Sequence, residues 1–414
     1  MSGLPTQTQL WNTRYPSEPS GAPEWMSYHF LREAEICPLA ASLKHSWFRT
    51  LWARHGYPNR PNVGTLMGII VHAAAEVIIK SLVAANVTST CDPRAMATLR
   101  SLGGYSNVLS GIIDELVKGE AGNPRFMQVG PAIARTLELK IPQMRETLQQ
   151  LLASRAWLGS IPMKHSSNGR TDHALEGHRF PLSAGTHFEV TLKDRQAKWK
   201  GRLDVVSVSE DGCAISDLKT GSPAPEHQEQ MRVYALLWSR DDELNPKQMP
   251  VSALELVYGR GLVQVSIPDA KESETFRTQI TKRTEAVRKD LAMATVTARP
   301  SRENCQYCQV KLLCDDFWND LKAFGNQNAT LSNVVVKAEE SRSESTWFAR
   351  ISSSDSSPSL SGRVVLKRFE DGNAFWPEIQ CGTTIRLTDV LFSLREPDEL
   401  PLISLTMLSE ALFI

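Results

Sequence analysis

The spacing of apolar and polar positions changes its period along the chain. From Met26, the stretches MSYHFLREAEICPLAASLKHSWF and VGTLMGIIVHAAAEVIIKSLVAA repeat apolar residues every three to four positions, which predicts helices. Residues 92–160 continue as several short helices, broken at Gly103-Gly104 and at Gly122-Asn123-Pro124. The period then falls to two. HFEVTL, GRLDVVSV and CAISDLK alternate, or run apolar with β-branched residues, as strands do. A helix is expected over EHQEQMRVYALLWSR, strands over ALELVYG and LVQVSI, and a long charged helix from about 270 to 295.

Two stretches lack this order. Residues 1–25 are rich in Pro, Ser, Thr and Gly and read as a flexible arm, and residues 326–345 are polar with no sustained period and read as a linker. Beyond the linker come TWFARI, GRVVLKRF, TTIRLTDVLFSL and PLISLTML, divided by turn signals at Asp371-Gly372 and Cys381-Gly382. Short strands over residues 346–414 predict a small β-barrel, with an OB-type fold the first expectation and a β appendage without a ligand the other. The main unit is then 26–325, with a helical insertion over about 85–165.

Composition narrows the class. The 414 residues are 41% hydrophobic and 22% charged, as in ordinary globular proteins. No apolar run reads as the roughly 18 residues of a membrane span, and the start lacks a signal-peptide pattern, so no membrane partner and a cytoplasmic location are expected. Lys+Arg and Asp+Glu both number 46, which argues against a strongly basic nucleic-acid coat but leaves room for a local basic groove. Three of seven cysteines fall in NCQYCQVKLLC (Cys305, Cys308, Cys314), and Cys37 sits upstream before Pro38. In a reducing compartment such a cluster favours a metal site over disulfides, and four thiolates suit zinc or a cubane iron–sulfur cluster.

The candidate chemistry lies in the strands. In AISDLKTG, Asp217 and Lys219 are two residues apart and share a face. Asp204 stands in the preceding strand, GRLDVV. With a four-residue turn over 209–212 it faces Asp217, and with Asp211-Gly212 as a tight turn it faces Lys219. Both registers put Asp204, Asp217 and Lys219 on one face. Two adjacent carboxylates repel unless a proton or a divalent cation lies between them, and Mg²⁺ or Mn²⁺ fits oxygen ligands. Asp204 also fits a strand-end residue paired with Arg202.

GRLDVV, DLKTG and QMRVYALLW together resemble the RecB-type branch of the PD-(D/E)XK nuclease superfamily, which includes the CRISPR-adaptation exonuclease and the AddB nuclease domain. The branch's upstream G-x3-H is matched by Gly68 to His72, and its early Cys-Pro and late C-x2-C-x5-C by Cys37-Pro38, Cys305, Cys308 and Cys314. The resemblance covers roughly residues 25–320. It implies an α/β fold with a restriction-endonuclease-like core, a mixed sheet flanked by helices, after an N-terminal helical region.

By the same resemblance, Asp204, Asp217 and Lys219 are catalytic. His72, Asp204, Asp217 and the backbone carbonyl of Leu218 hold Mg²⁺ or Mn²⁺, and Gln230 and Tyr234 bind the nucleic-acid strand. Tyr234 also fits plain core packing, and Glu189 fits either an additional ligand or a surface residue. Cys37, Cys305, Cys308 and Cys314 hold a [4Fe–4S] cluster. The implied activity is metal-dependent DNA hydrolysis, as an exonuclease on single strands or duplex ends, in DNA repair or antiviral defence. The alternative is a non-catalytic nucleic-acid-binding scaffold subunit. Trp347, Phe348, Phe369, Phe375, Trp376, Arg363, Lys367, Arg368 and Arg386 are candidate contacts of the C-terminal unit, with DNA or with a partner such as a helicase.

Overall fold

The computed structural model describes residues 16–414 apart from Pro19, Gln128, 154–178, Arg260, 325–330, Glu344, 356–361, 368–378, 394–398 and Met407. The described chain begins with helices α1 (Tyr28–Ile36), α2 (Pro38–His45) and α3 (Val63–Ala84). Asn62 caps α3 by accepting from the Thr65 backbone N–H. The insertion expected over about 85–165 supplies α4 (Pro93–Ser101), α5 (Gly104–Glu120), α6 (Gly130–Leu139) and α7 (Ile141–Ala153), and its last residues lie outside the described part.

A five-stranded sheet follows: β1 (Gly185–Asp194), β2 (Trp199–Ser209), β3 (Gly212–Lys219), β4 (Val251–Tyr258) and β5 (Gly261–Val265), in sequential order. β3 and β4 are parallel and the other pairs antiparallel. Parallel pairing requires a crossover, and α8 (Pro225–Arg240) lies in that connection. Helix α9 (Ala270–Leu291) starts with a capping box between Asp269 and Glu272.

Alternation along the strands gives the sheet two packed faces. Val206, Val208, Cys213, Ile215, Leu254 and Leu256 join a core with α1, α8 and α9. Val205, Leu218 and Val257 point the other way and join a core with α3 and the insertion helices. By length and composition α3 could cross a membrane, contrary to the expectation that no stretch qualifies. Half of that stretch is buried, in the second core where Ile70, Ala74, Ala75, Ile78 and Leu82 are fully buried, while Ile69 and Val77 stay exposed.

The C-terminal strands are β6 (Leu331–Ser343), β7 (Thr346–Ser354), β8 (Gly362–Lys367), β9 (Thr384–Ser393), β10 (Leu402–Ser404) and β11 (Glu410–Phe413). The order β6-β7-β8-β10-β9 closes into a five-stranded barrel because β9 pairs with both β10 and β6, and β11 adds to β9. The linker reading of 326–345 is therefore corrected: its described part is mostly β6. The strand is masked in the sequence because Lys337, Glu340 and Ser341 interrupt the apolar alternation while β6 pairs on both edges. Nor is the barrel detached. One core joins Val334, Val336, Ile351 and Ile385 to Phe48, Trp52, Cys314, Phe317 and Trp318.

Candidate active site

The β2–β3 hairpin turns through Glu210-Asp211, with Ser209 paired to Gly212 and Val205 to Ser216. That register sets Asp204 opposite Asp217, but through a two-residue turn rather than the four-residue one. Gly212 makes the turn possible: its φ is +144°, and a Cβ there would lie 2.6 Å from the Pro250 carbonyl oxygen. Asp217 and Lys219 thus leave the sheet on the face that packs against α8, while Asp204 reaches His72 on α3.

Two further glycines have steric roles that the motifs do not state. A Cβ on Gly68 would lie 2.9 Å from Thr220 Oγ1, so only glycine lets α3 run this close to the end of β3 and present His72. A Cβ on Gly201 would lie 2.8 Å from Leu237 and 2.9 Å from the Tyr234 ring, so α8 seats directly on β2.

His72 Nε2 lies 2.8 Å from Asp204 Oδ2, and the same oxygen accepts the Leu218 backbone N–H at 2.7 Å. Burial disfavours charge on the imidazole, but the bond to Asp204 and the nearby carboxylates outweigh it and raise its pKa. Glu189 lies 4.0 Å from His72 Nδ1. Its pairing neighbours, Phe188 with Val205 and Val190 with Leu203, put it across from Asp204, and its φ of 54° breaks the local ladder. Arg202 pairs with Glu189, not with Asp204. With 18% of its side chain exposed, Glu189 is no surface residue. His72, Glu189 and Asp204 present ligand atoms within 4.8 Å of one another.

Asp217 is only 2% exposed. Lys219 Nζ approaches its Oδ2 to 2.7 Å, but not in line for a hydrogen bond, so that oxygen has a charge contact and no aligned donor. Burial and the neighbouring Asp204 push the Asp217 carboxyl up to about 7, with Lys219 offsetting part of the effect. Asp217 lies outside the compact set that contains Glu189. A buried carboxylate without an aligned donor, beside two carboxylates and an imidazole, has the donor chemistry of a site for a hard divalent cation.

Lys219 Nζ donates to Gln230 Oε1 at 2.9 Å, Gln230 Nε2 donates to the Tyr234 hydroxyl at 2.6 Å, and that hydroxyl donates to the Arg202 carbonyl at 2.9 Å. Tyr234 is buried in the core, as its packing alternative has it, and its hydroxyl is engaged in this relay. An open groove of about 630 Å³ runs past His72, Glu76, Glu189, Arg202, Asp204 and Thr220, and neither Gln230 nor Tyr234 is part of its described lining. Sequence reading missed Glu76 and Thr220. Glu76 carries a signal, one helical turn after His72 on the same face.

Cys37, Cys305, Cys308 and Cys314 line one cavity of about 140 Å³ and form no disulfides. Burial raises the thiols of Cys305 and Cys308 and pushes Cys314 up to about 12. Four convergent thiols, three of them held protonated by burial, have the donor set that a metal or cluster site uses.

In the barrel, Arg386 is buried and pairs with Asp315, so it offers no exposed charge. Phe348 is covered by Arg342 and Arg363. Phe369, Phe375, Trp376 and Arg368 lie outside the described residues.

No curated protein sequence matches the chain. The family model for the PD-(D/E)XK nuclease superfamily matches residues 26–315, which contain the helices, the five-stranded sheet, the acidic groove and the four converging cysteines. The protein belongs to the PD-(D/E)XK nuclease superfamily.

Proposed function

We propose that the protein is a metal-dependent deoxyribonuclease of the RecB-like branch, cutting single strands or duplex ends as an exonuclease. The superfamily consists generally of phosphodiester hydrolases that use Mg²⁺ or Mn²⁺. The observation that carries the reading is Asp217, a buried carboxylate with no aligned donor, set against Asp204 at the mouth of the groove.

His72, Asp204, Asp217 and the Leu218 carbonyl would hold the cation, with Glu189 an added ligand from β1. When bound, it would lower the pKa of a water and stabilise charge on a phosphoryl oxygen. Lys219 is the catalytic lysine: its ammonium would donate to and orient the attacking water, whose proton leaves to solvent. Gln230 and Tyr234 are positioning residues. The relay to the Arg202 carbonyl fixes the Lys219 amine, so its reach does not depend on a free four-carbon chain. Thr220 and the start of α3 border the groove where the substrate backbone would run.

Cys37, Cys305, Cys308 and Cys314 would hold a [4Fe–4S] cluster that ties the N-terminal helices to the segment after α9. The barrel reads as OB-type, because its strand order and the parallel β8–β10 pairing follow that pattern.

The test is anaerobic purification followed by incubation with Mn²⁺ or Mg²⁺ and end-labelled single- and double-stranded DNA, with Lys219→Ala alongside. Cleavage that needs the metal and the lysine supports the reading, and the product ladder gives the polarity. Intact protein that binds DNA but cuts nothing is a scaffold subunit. Iron and sulfide analysis tests the cluster, and stoichiometric zinc without iron would overturn it.

A further inference from the structure

We propose that the cavity between the barrel, the cysteine loop and the start of α3 is a second nucleic-acid subsite, holding the single strand beyond the active groove. The proposal rests on the nuclease reading above and adds a role for the C-terminal unit.

Continuity is the first observation. Thr65 lines both the active groove and this second cavity of about 390 Å³. The boundary between them is the start of α3, a 22-residue helix. Thr65 N–H is taken by the Asn62 side chain and Leu66 N–H by the Asn62 carbonyl, so the Val63 and Gly64 N–H groups precede the helix's own bonding. The positive end of the helix dipole therefore lies where a backbone phosphate would pass from one cavity to the other.

The charge of the second cavity agrees with that ligand. Arg60, Arg125 and Lys311 line it against Asp389 and Glu410, three cations facing two carboxylates. Both carboxylates are already engaged: Asp389 by Arg60 and Lys311, Glu410 by Arg60 at 3.1 Å and Arg125 at 2.7 Å. Arg125 is 7% exposed, yet its Nε has no acceptor. Three cations against two engaged carboxylates leave one positive charge in surplus around the cavity.

Tyr307 supplies the surface for a base. It sits between Cys305 and Cys308 on the cavity rim and is 80% exposed. Among the described residues no other large apolar side chain is so exposed. An aromatic face beside cations is how proteins hold single strands without reading sequence. Gln306 and Gln309 flank it, and Gln309 accepts the Arg60 backbone N–H at 2.9 Å, which ties the cysteine loop to the segment leading into α3.

The experiment measures KM for Mn²⁺-dependent cleavage of oligothymidylates of about four and about thirty nucleotides, with wild type, Tyr307→Ala and Tyr307→Phe. The wild type should prefer the long strand. In Tyr307→Ala that preference should shrink on the order of tenfold, and Tyr307→Phe should restore it. Lys311→Gln, checked for folding by thermal melt, should lower the salt slope of long-strand binding by about one. A wild-type KM independent of length, or an unchanged preference in Tyr307→Ala, overturns the subsite. If the wild type cuts neither length, the nuclease reading fails separately. Fluorescence anisotropy of the long oligothymidylate then decides: weaker binding by Tyr307→Ala supports the subsite, and equal binding overturns it.

Discussion

Two groups of buried and half-buried carboxylates lie on either side of the start of α3, and they are in opposite electrostatic states. At the active groove, Asp204, Asp217 and Glu189 face one lysine, one imidazole and the largely exposed Arg202. Burial pushes the Asp217 carboxyl up to about 7 and raises Glu189. At the barrel junction, burial acts on Asp389 and Glu410 in the same sense, but arginines and Lys311 more than offset it and hold both below the usual carboxylate range. Burial alone does not distinguish a site from a structural pair. The ratio of fixed cations to carboxylates does: arginine, which keeps its proton, leaves the junction acids no need of a cation. The active groove lacks that compensation and can gain it from a bound cation.

The largest effect that would sharpen this contrast is catalytic. Lys219→Ala should lower single-turnover cleavage by about 10²–10⁴-fold. A drop of less than about threefold would place the chemistry elsewhere, since a positioned proton donor contributes far more. Next comes Glu410→Gln at the junction. It leaves Arg60 and Arg125 buried with half their compensation, and removing one partner of a buried pair costs about 3–5 kcal/mol. Urea unfolding would measure it. A loss below about 1 kcal/mol would mean that the junction is hydrated and the contrast overstated.

Divalent cation should act only at the active groove. At a hundredfold excess over its dissociation constant, Mn²⁺ should stabilise the folded protein by about 2.7 kcal/mol, read as a rise in melting temperature. His72→Ala should weaken that response and Glu410→Gln should not. Equal responses from both variants would show the ion binding away from the groove.

Much of this contrast was legible in the sequence, and the reasons are local. A two-residue periodicity fixes which strand residues share a face, so Asp204, Asp217 and Lys219 converge under either turn. Four of five barrel strands announced themselves by apolar runs between turn signals. β6 did not, because its polar positions lie where strand pairing, not burial, stabilises it. The junction was illegible: Arg60, Arg125, Asp389 and Glu410 are far apart in sequence and carry no spacing signal. Glu189 was ambiguous because its left-handed backbone is a tertiary feature that no alternation rule reports. Tyr234 kept its predicted helix face but turned its hydroxyl to the relay, since the steric gap at Gly201 draws it onto β2.

The smallest effect gives the sharpest separation. Asp217 has a folded-state pKa of about 7 against an ordinary value of 3.8. Below about pH 4 the carboxyl is protonated whether folded or not, and it costs nothing. As pH rises from about 4 to about 7 the unfolded chain ionises first, so the metal-free protein loses stability across that window and no further above it. Asp217→Asn removes the ionisation. With chelator present, the variant should match the wild type at pH 4 and exceed it by about 1 kcal/mol or more at pH 8, although it cleaves nothing. Saturating Mn²⁺ should reverse the order, because only the carboxylate gains from the ion. A stability difference that is flat from pH 4 to 8 would mean that Asp217 is already compensated like Glu410, and the two groups of acids would then be alike.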